Sequence, residues 1–252
     1  MKTRVISERR RFQESSVLFK SEMRAAIDAA ISNIRVQRME LITYITQHPS
    51  FRDALIPYPV ATEAPRVVKL MVESTDRFEV GPMAAVAGVL ADLAVETMRS
   101  VDAKVAIVEN GGEIAAWSEE PFTIALHIGA NPLSNSLGFQ VAPSDCPIGI
   151  ATSSASVGSA LSFGEADSVT IFTNTAGIAD GAATAVCNSV QGSDLIASVQ
   201  KGLEKAKSLG ELIHGALIVR GTYVGSMGKL PKLVKIPRGF DLKKALSLTL
   251  PR

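Results

Sequence analysis

The stretch SFGEADSVTIFTNTAGIADGAATAVCNSVQ, Ser162 to Gln191, decides the reading of the fold, because a β-rich run there hands over to a helix built of small residues. Ser168 to Thr173 is dense in β-branched and aromatic side chains, and Asn174-Thr175 suits a turn followed by a helix N-cap. A strand feeding a helix is the local expectation. Along that helix Asp180, Thr184 and Asn188 recur every four residues, which lines three oxygen-bearing side chains on one face. Ala179, Gly181, Ala182, Ala183 and Ala185 surround them. Two readings stay open. The small residues let two helices pack closely while the polar face meets solvent, or a carboxylate, a hydroxyl and an amide serve as hard oxygen donors of the type magnesium prefers.

Upstream, Arg11 to Lys20 alternates loosely and reads as a first strand, with Arg9-Arg10-Arg11 as a solvated lead-in. Glu22 to about Gln47 carries apolar residues at helical spacing, as one long helix or two joined near Asn33. Pro49, Pro57 and Pro59 break the chain into a loop, and a shorter helix follows from about Pro65 to Ser74. Gly81-Pro82 then opens a buried helix running through to Met98. Lys104 to Ser118 is a hairpin signal around Asn110-Gly111, a pair suited to positive backbone dihedrals. Pro121 to Gly129 and Gly138 to Ala142 read as further strands, and Gly149 to Gly158 ends a strand in a hydroxyl-rich loop. There Thr152, Ser153 and Ser154 form either a polar turn or a phosphate-holding loop. His127 reads as a packed or edge-strand histidine, and Cys146 as part of a turn, since nothing nearby supplies a base. Ser193 to Leu209 is an amphipathic helix, His214 to Thr222 the last core strand, and Gly225 to Arg252 a basic, proline-interrupted tail lying over the domain or across a dimer interface.

Composition narrows the function classes. A chain of 252 residues with 46% hydrophobic residues buries a sizeable core, and residues 1–252 are expected to form a single domain. Its 26 basic and 25 acidic residues leave a net charge of +1, which gives no global pull toward nucleic acid or an anionic membrane. A small, near-neutral partner fits better. Cys146 and Cys187 show no metal-ligand spacing and no disulfide framework, no apolar run is long enough to span a bilayer, and the expected location is the cytoplasm.

The spelling of several stretches carries a resemblance. Ala179-Asp180-Gly181-Ala182-Ala183-Thr184-Ala185 resembles the A-D-x-x-A-T-A element of the ApbE-like superfamily, related to FAD:protein FMN transferases, and Gly164 to Thr170 before it looks like a prokaryotic branch of that group. Gly81, Gly88 and Asp92 match a glycine-opened helix reading G-x-x-x-x-K-G and ending in Asp, with Ala87 at the lysine position. Asn110-Gly111-Gly112-Glu113-Ile114 looks like the N-x-G-G-[DN]-I segment, offset by one residue at its start, and the Thr152-Ser153 pair is similar to a Thr-Ser near the superfamily's cofactor. Flavin-transferring members also carry a histidine in an H-I-x-D-P element, whereas Ser156 to Ser162 contains none.

The resemblance implies an α+β fold of the ApbE-like type, a largely antiparallel sheet flanked by helices. It implies FAD or FMN as cofactor, contacted by Gly81, Gly88, Asn110, Gly111, Gly112, Glu113, Thr152 and Ser153. It also implies a magnesium ion on Asp180 and Thr184 with a backbone carbonyl near Val86. The expected partners are a small-molecule nucleotide or flavin and a second copy of the chain, with neither nucleic acid nor membrane. If the chain is an enzyme, the implied chemistry is magnesium-dependent transfer or hydrolysis at a flavin nucleotide's phosphoanhydride. A binding or assembly protein, or an enzyme acting on another small heterocycle on the same scaffold, are the alternatives.

Overall fold

A computed structural model describes residues 4–154 and 163–236. The period-two runs are β1 (Ile6–Phe12), β2 (Ser15–Ser21), β3 (Val105–Asn110), β4 (Glu113–Ser118), β5 (Phe122–Ala125), β6 (Leu137–Val141), β7 (Ile148–Ser153), β8 (Ser168–Thr173), β9 (Gly215–Arg220), β10 (Tyr223–Gly228) and β11 (Lys232–Lys235). The α-helices are α1 (Arg24–Gln47), α2 (Pro49–Asp53), α3 (Arg66–Thr75), α4 (Val86–Arg99), α5 (Ala176–Ser189) and α6 (Leu195–Ser208). Eight strands form one sheet in the order β1-β2-β3-β4-β7-β8-β9-β10, and a second sheet has the order β11-β6-β5. Every pairing is antiparallel, in keeping with an α+β class.

Strand parity assigns the two faces of the large sheet. Phe19, Ala106, Val108 and Ala115 enter a core with α1, α4 and the start of α5, and Ala151, Val169, Ile171, Ala216 and Ile218 continue that face under α5 and α6. Residues of opposite parity, among them Ile107, Ile114, Ile150, Phe172 and Leu217, pack against Phe122, Ile124, Phe139 and Val141 of the small sheet. Helices therefore cover one face and the small sheet the other, which removes apolar area from water on both sides of the central strands. A further cluster joins the C-terminal half of α1 to α2, α3 and α4.

Several sequence expectations are corrected. The expected first strand Arg11–Lys20 is the β1–β2 hairpin, because Gln13 takes a positive φ of 53° and turns the chain. Arg9, Arg10 and Arg11 are exposed, as expected, but they lie within β1 rather than before it, and Arg9 reaches Glu109 at 3.0 Å. α1 is continuous through Asn33, and the proline-rich loop contains the short helix α2. In the 104–118 hairpin Asn110 pairs with Glu113, and the positive φ values fall on Gly111 (74°) and Gly112 (125°), one residue later than Asn110-Gly111. The expected C-terminal tail begins as two strands, β10 against β9 and β11 against β6, where polar side chains suit edge positions. The remainder of that tail, 237–252, lies outside the described residues.

Candidate functional site

Helix α4 begins after a 3-10 turn, Pro82–Ala85, and its first residues Val86, Ala87 and Gly88 meet α5 side on. Gly88 permits the approach: a Cβ there would stand 2.3 Å from the Ala176 carbonyl oxygen and 2.8 Å from the Gly177 nitrogen. Across this contact the two helices exchange acids. The Gly88 N–H donates to Asp180 Oδ2 at 3.0 Å. In return the carboxylate of Asp92 accepts the Ala176 and Gly177 N–H groups, both at 2.8 Å. Thr175 occupies the N-cap of α5 but makes no side-chain cap, so Asp92 does that work from another helix, an acid at the positive end of the α5 dipole.

The β3–β4 hairpin supplies the third side. Asn110 and Glu113 are opposite one another, and their parity places both on the helix-bearing face with Val108 and Ala115. Asn110 Nδ2 donates to the Ala87 carbonyl at 3.0 Å, so the Ala87-Gly88 backbone is held by Asn110 on one side and Asp180 on the other. Gly111 and Gly112 provide the turn that lets the chain reverse within two residues.

Three carboxyls crowd this neighbourhood. Burial pushes Asp180 up to about 7, and the nearby Asp92 charge adds to the rise while N–H groups of Gly88 and Ala87 oppose it. Burial likewise pushes Asp92 up to about 7 against the pull of its two N–H donors. Glu113 is pushed well above the usual carboxylate range, first by burial and then by the charges of Asp180 and Glu109. Among the described residues, none of Asp92, Glu113 and Asp180 forms an ion pair. Like charges held together without a basic partner favour either a proton or a cation between them. Nor, among the described residues, are three His, Cys, Asp or Glu side chains placed to hold one ion by themselves. A metal at Asp180 therefore needs hydroxyl, carbonyl or ligand oxygens as well.

The sequence-predicted residues separate on this frame. Asp180, Gly88, Asn110, Gly111, Gly112 and Glu113 converge. Thr184, half-buried, lies one turn beyond Asp180 on α5, and Val86 is the first residue of α4. Gly81 packs on the backbone of Ala54, where a Cβ would come 1.8 Å from the carbonyl oxygen. Thr152 does not converge with them: it shares parity with Ile148 and Ile150, faces the small sheet, and meets Thr170 Oγ1 at 2.9 Å. Ser153 has the other parity, that of Ala151 on the helix side. Asn188 Oδ1 accepts the Phe163 N–H, tying the start of the 163–167 segment to α5. The expected histidine-free stretch Ser156–Ser162 lies outside the described residues. His127 is exposed, with Nδ1 3.4 Å from Ser134 Oγ, and burial pushes the Cys146 thiol up, away from the reactive thiolate form.

Sequence reading matched Asp92 to a motif but missed its role as the cap of α5; that the Thr175 side chain makes no cap is visible only in three dimensions. A cleft of about 460 Å³ opens beside it, lined in part by Asp92, Arg99, Ala115, Pro147 and Thr175. No single helix among the described residues is long and apolar enough to cross a membrane.

Comparison with known proteins bears on the family and the fold. A family model described as AbpE bacteria matches residues 13–219. A UPF0280 protein of Methanothermobacter thermautotrophicus is 39% identical over 202 residues, covering 80% of this chain and 78% of that protein. A UPF0280 protein of Methanopyrus kandleri is 37% identical over 235 residues, covering 92% and 94%. Among solved structures, the flavin transferase ApbE from Vibrio cholerae superposes with a TM-score of 0.59 at 14% identity, covering 89% of this chain and 96% of that one. The apo form of the Pseudomonas stutzeri flavinyl transferase ApbE gives 0.54 at 14% identity, covering 90% and 96%. At those identities the likeness is one of fold.

Proposed function

Since the chain belongs to the AbpE bacteria family, within the UPF0280 branch of the ApbE-like proteins, we propose that it binds a flavin nucleotide, FAD or FMN, together with a magnesium ion. The observation that supports this reading is the pair Asp180 and Glu113, two crowded carboxyls with no basic side chain paired to either among the described residues. Asp180, the Thr184 hydroxyl and the Val86 carbonyl are the oxygens that would hold the ion, hard donors suited to magnesium. When bound, the ion would neutralise charge on the nucleotide's phosphates. The chain's own groups do the positioning: Asn110 and Asp180 hold the Ala87-Gly88 backbone in place, and Gly111 and Gly112 leave the hairpin turn free of side chains. The cleft beside Asp92 is lined by none of Asp180, Thr184, Val86, Asn110 or Glu113, so it is not the pocket of this reading.

Ala87 removes the cation that the superfamily's helix motif supplies, and no histidine lies in 156–162, so covalent flavin transfer to a protein is the weaker form of this reading. Hydrolysis or transfer at the phosphoanhydride, or binding alone, is the stronger. Titration calorimetry with magnesium and FAD tests it. The parent should bind FAD more tightly with magnesium than with EDTA, and Asp180→Asn should abolish that difference while keeping the acceptor for the Gly88 N–H. Equal magnesium dependence in parent and variant would remove Asp180 from the metal. Release of FMN and AMP from FAD separates a hydrolase from a binding protein.

A further inference from the structure

On β2, Val17 and Phe19 enter the helix-side core, which turns Leu18 and Lys20 to the opposite face of the sheet. The register then sets Arg9 and Glu109 on either side of Leu18, and Ser7 and Ile107 on either side of Lys20. Glu109 is already engaged, its carboxylate 3.0 Å from Arg9 Nη2, and Arg9 Nη1 donates to Ser16 Oγ at 3.3 Å. Lys20 is not. It is only 5% exposed, and among the described residues its ammonium has neither a hydrogen-bond nor an ion-pair partner. The stem of Lys20 is buried while its ammonium is not among the wholly enclosed side-chain atoms, and an ammonium without a protein partner is completed by water or by an anion.

We propose that Lys20, with Arg9 beside it, holds an oxyanion, the phosphate or carboxylate of a small ligand, on the outer face of the β1–β2–β3 ribbon. Lys20 brings three donors and Arg9 a planar guanidinium, against the single carboxylate of Glu109, so the cluster carries one uncompensated positive charge. Burial, with the Arg9 charge adding to it, lowers the Lys20 amine to about 8, which still leaves most of it protonated at neutral pH. A lysine with a buried stem, no protein partner for its ammonium and an arginine beside it is set to receive an anion. The site stands on the face opposite the Asp180 cluster and does not require that cluster to hold metal.

The test follows the Lys20 side chain directly, by its ¹³Cε shift across a pH titration in the full chain, alone and with inorganic phosphate, pyrophosphate or acetate. The phosphate and acetate arms separate the two oxyanion classes. An anion seated on Lys20 should raise its titration midpoint by about one pH unit or more. Lys20→Met, an apolar side chain of similar length, should weaken binding of the same anion by roughly tenfold or more, with Lys20→Arg restoring it. A Lys20 midpoint unmoved by all three anions would overturn the proposal, as would undiminished anion binding by folded Lys20→Met. Should that variant fail to fold, the titration of the parent decides alone.

Discussion

Replacing Gly88 by alanine puts the α4–α5 contact to the sharpest test. The added methyl would lie 2.3 Å from the Ala176 oxygen, 2.5 Å from its carbonyl carbon and 2.8 Å from the Gly177 nitrogen. All three are backbone atoms at the start of a helix, so no rotamer change relieves the clash; α4 and α5 must move apart. Overpacking of this kind costs about 1–3 kcal/mol and lies at the upper end when backbone must shift. Helix propensity opposes it, alanine being better than glycine by about 1 kcal/mol in a helix interior. The net expectation is a loss of about 2 kcal/mol, or a Tm lower by roughly 4–8 °C for a chain of this length. Gly202 is the internal control. A Cβ there would meet Ile218 Cδ1 at 2.6 Å and Val190 Cγ2 at 2.7 Å, buried side-chain methyls rather than backbone. Gly202→Ala should therefore cost less than Gly88→Ala, because core methyls shift by small amounts where helix backbone cannot, and the gain in helix propensity offsets part of the overpacking. Calorimetric melts of both variants against the parent decide the matter. A Gly88→Ala protein melting within a degree or so of the parent, or above Gly202→Ala, would refute the claim that backbone contact between α4 and α5 sets this geometry.

Asp92→Ala should leave the Ala176 and Gly177 N–H groups without their acceptor, and hydrogen exchange at these two amides should accelerate by roughly tenfold or more while α6 is unaffected. Lys20 makes a pH prediction of definite sign. Its amine sits at about 8 in the folded chain against 10.5 ordinarily, so the unfolded chain binds more protons in that window and stability should rise as pH rises from 8 to 10.5. Denaturant midpoints should show a gain of about 3 kcal/mol for the parent relative to Lys20→Met across those pH values, the variant being the more stable below pH 8. Asp180 runs the other way. Its folded value of about 7 lies above the ordinary 3.8, so its share of stability is full below pH 4 and lost as pH rises through 7; Asp180→Asn should flatten that part of the stability curve measured by urea unfolding. Asn110→Ala should free the Ala87 carbonyl and lower Tm by roughly 2–4 °C, the loss of about one hydrogen bond.

Much of the fold was legible in the residue order because its signals are local. The β-branched and aromatic density of SVTIFT, the glycine pair between two apolar runs at 110–113, and the small-residue periodicity of α5 each act within a dozen residues, and each element formed about where it was expected. The edges were less readable. Arginines in β1 and lysines in β11 look like solvated tails by composition, yet edge strands accept charge on their open side, and backbone pairing rather than side-chain apolarity holds them.

The candidate site divides the same way. Spelling and spacing alone singled out Asp180, Asn110, the two glycines and Glu113 as residues of one kind of chemistry. Tertiary structure alone decided which of them meet. Thr152 and Ser153 are neighbours in the chain, but strand parity sends one toward the small sheet and the other toward α5, and only the pairing of β7 with β8 tells which. Asp92 caps a helix 84 residues away, and Asp180 reaches back 92 residues to Gly88. Lys20 is an ordinary lysine until pairing sets it between β1 and β3. Burial and unpaired charge are properties of contacts between distant segments, so they come into being only when the chain has folded.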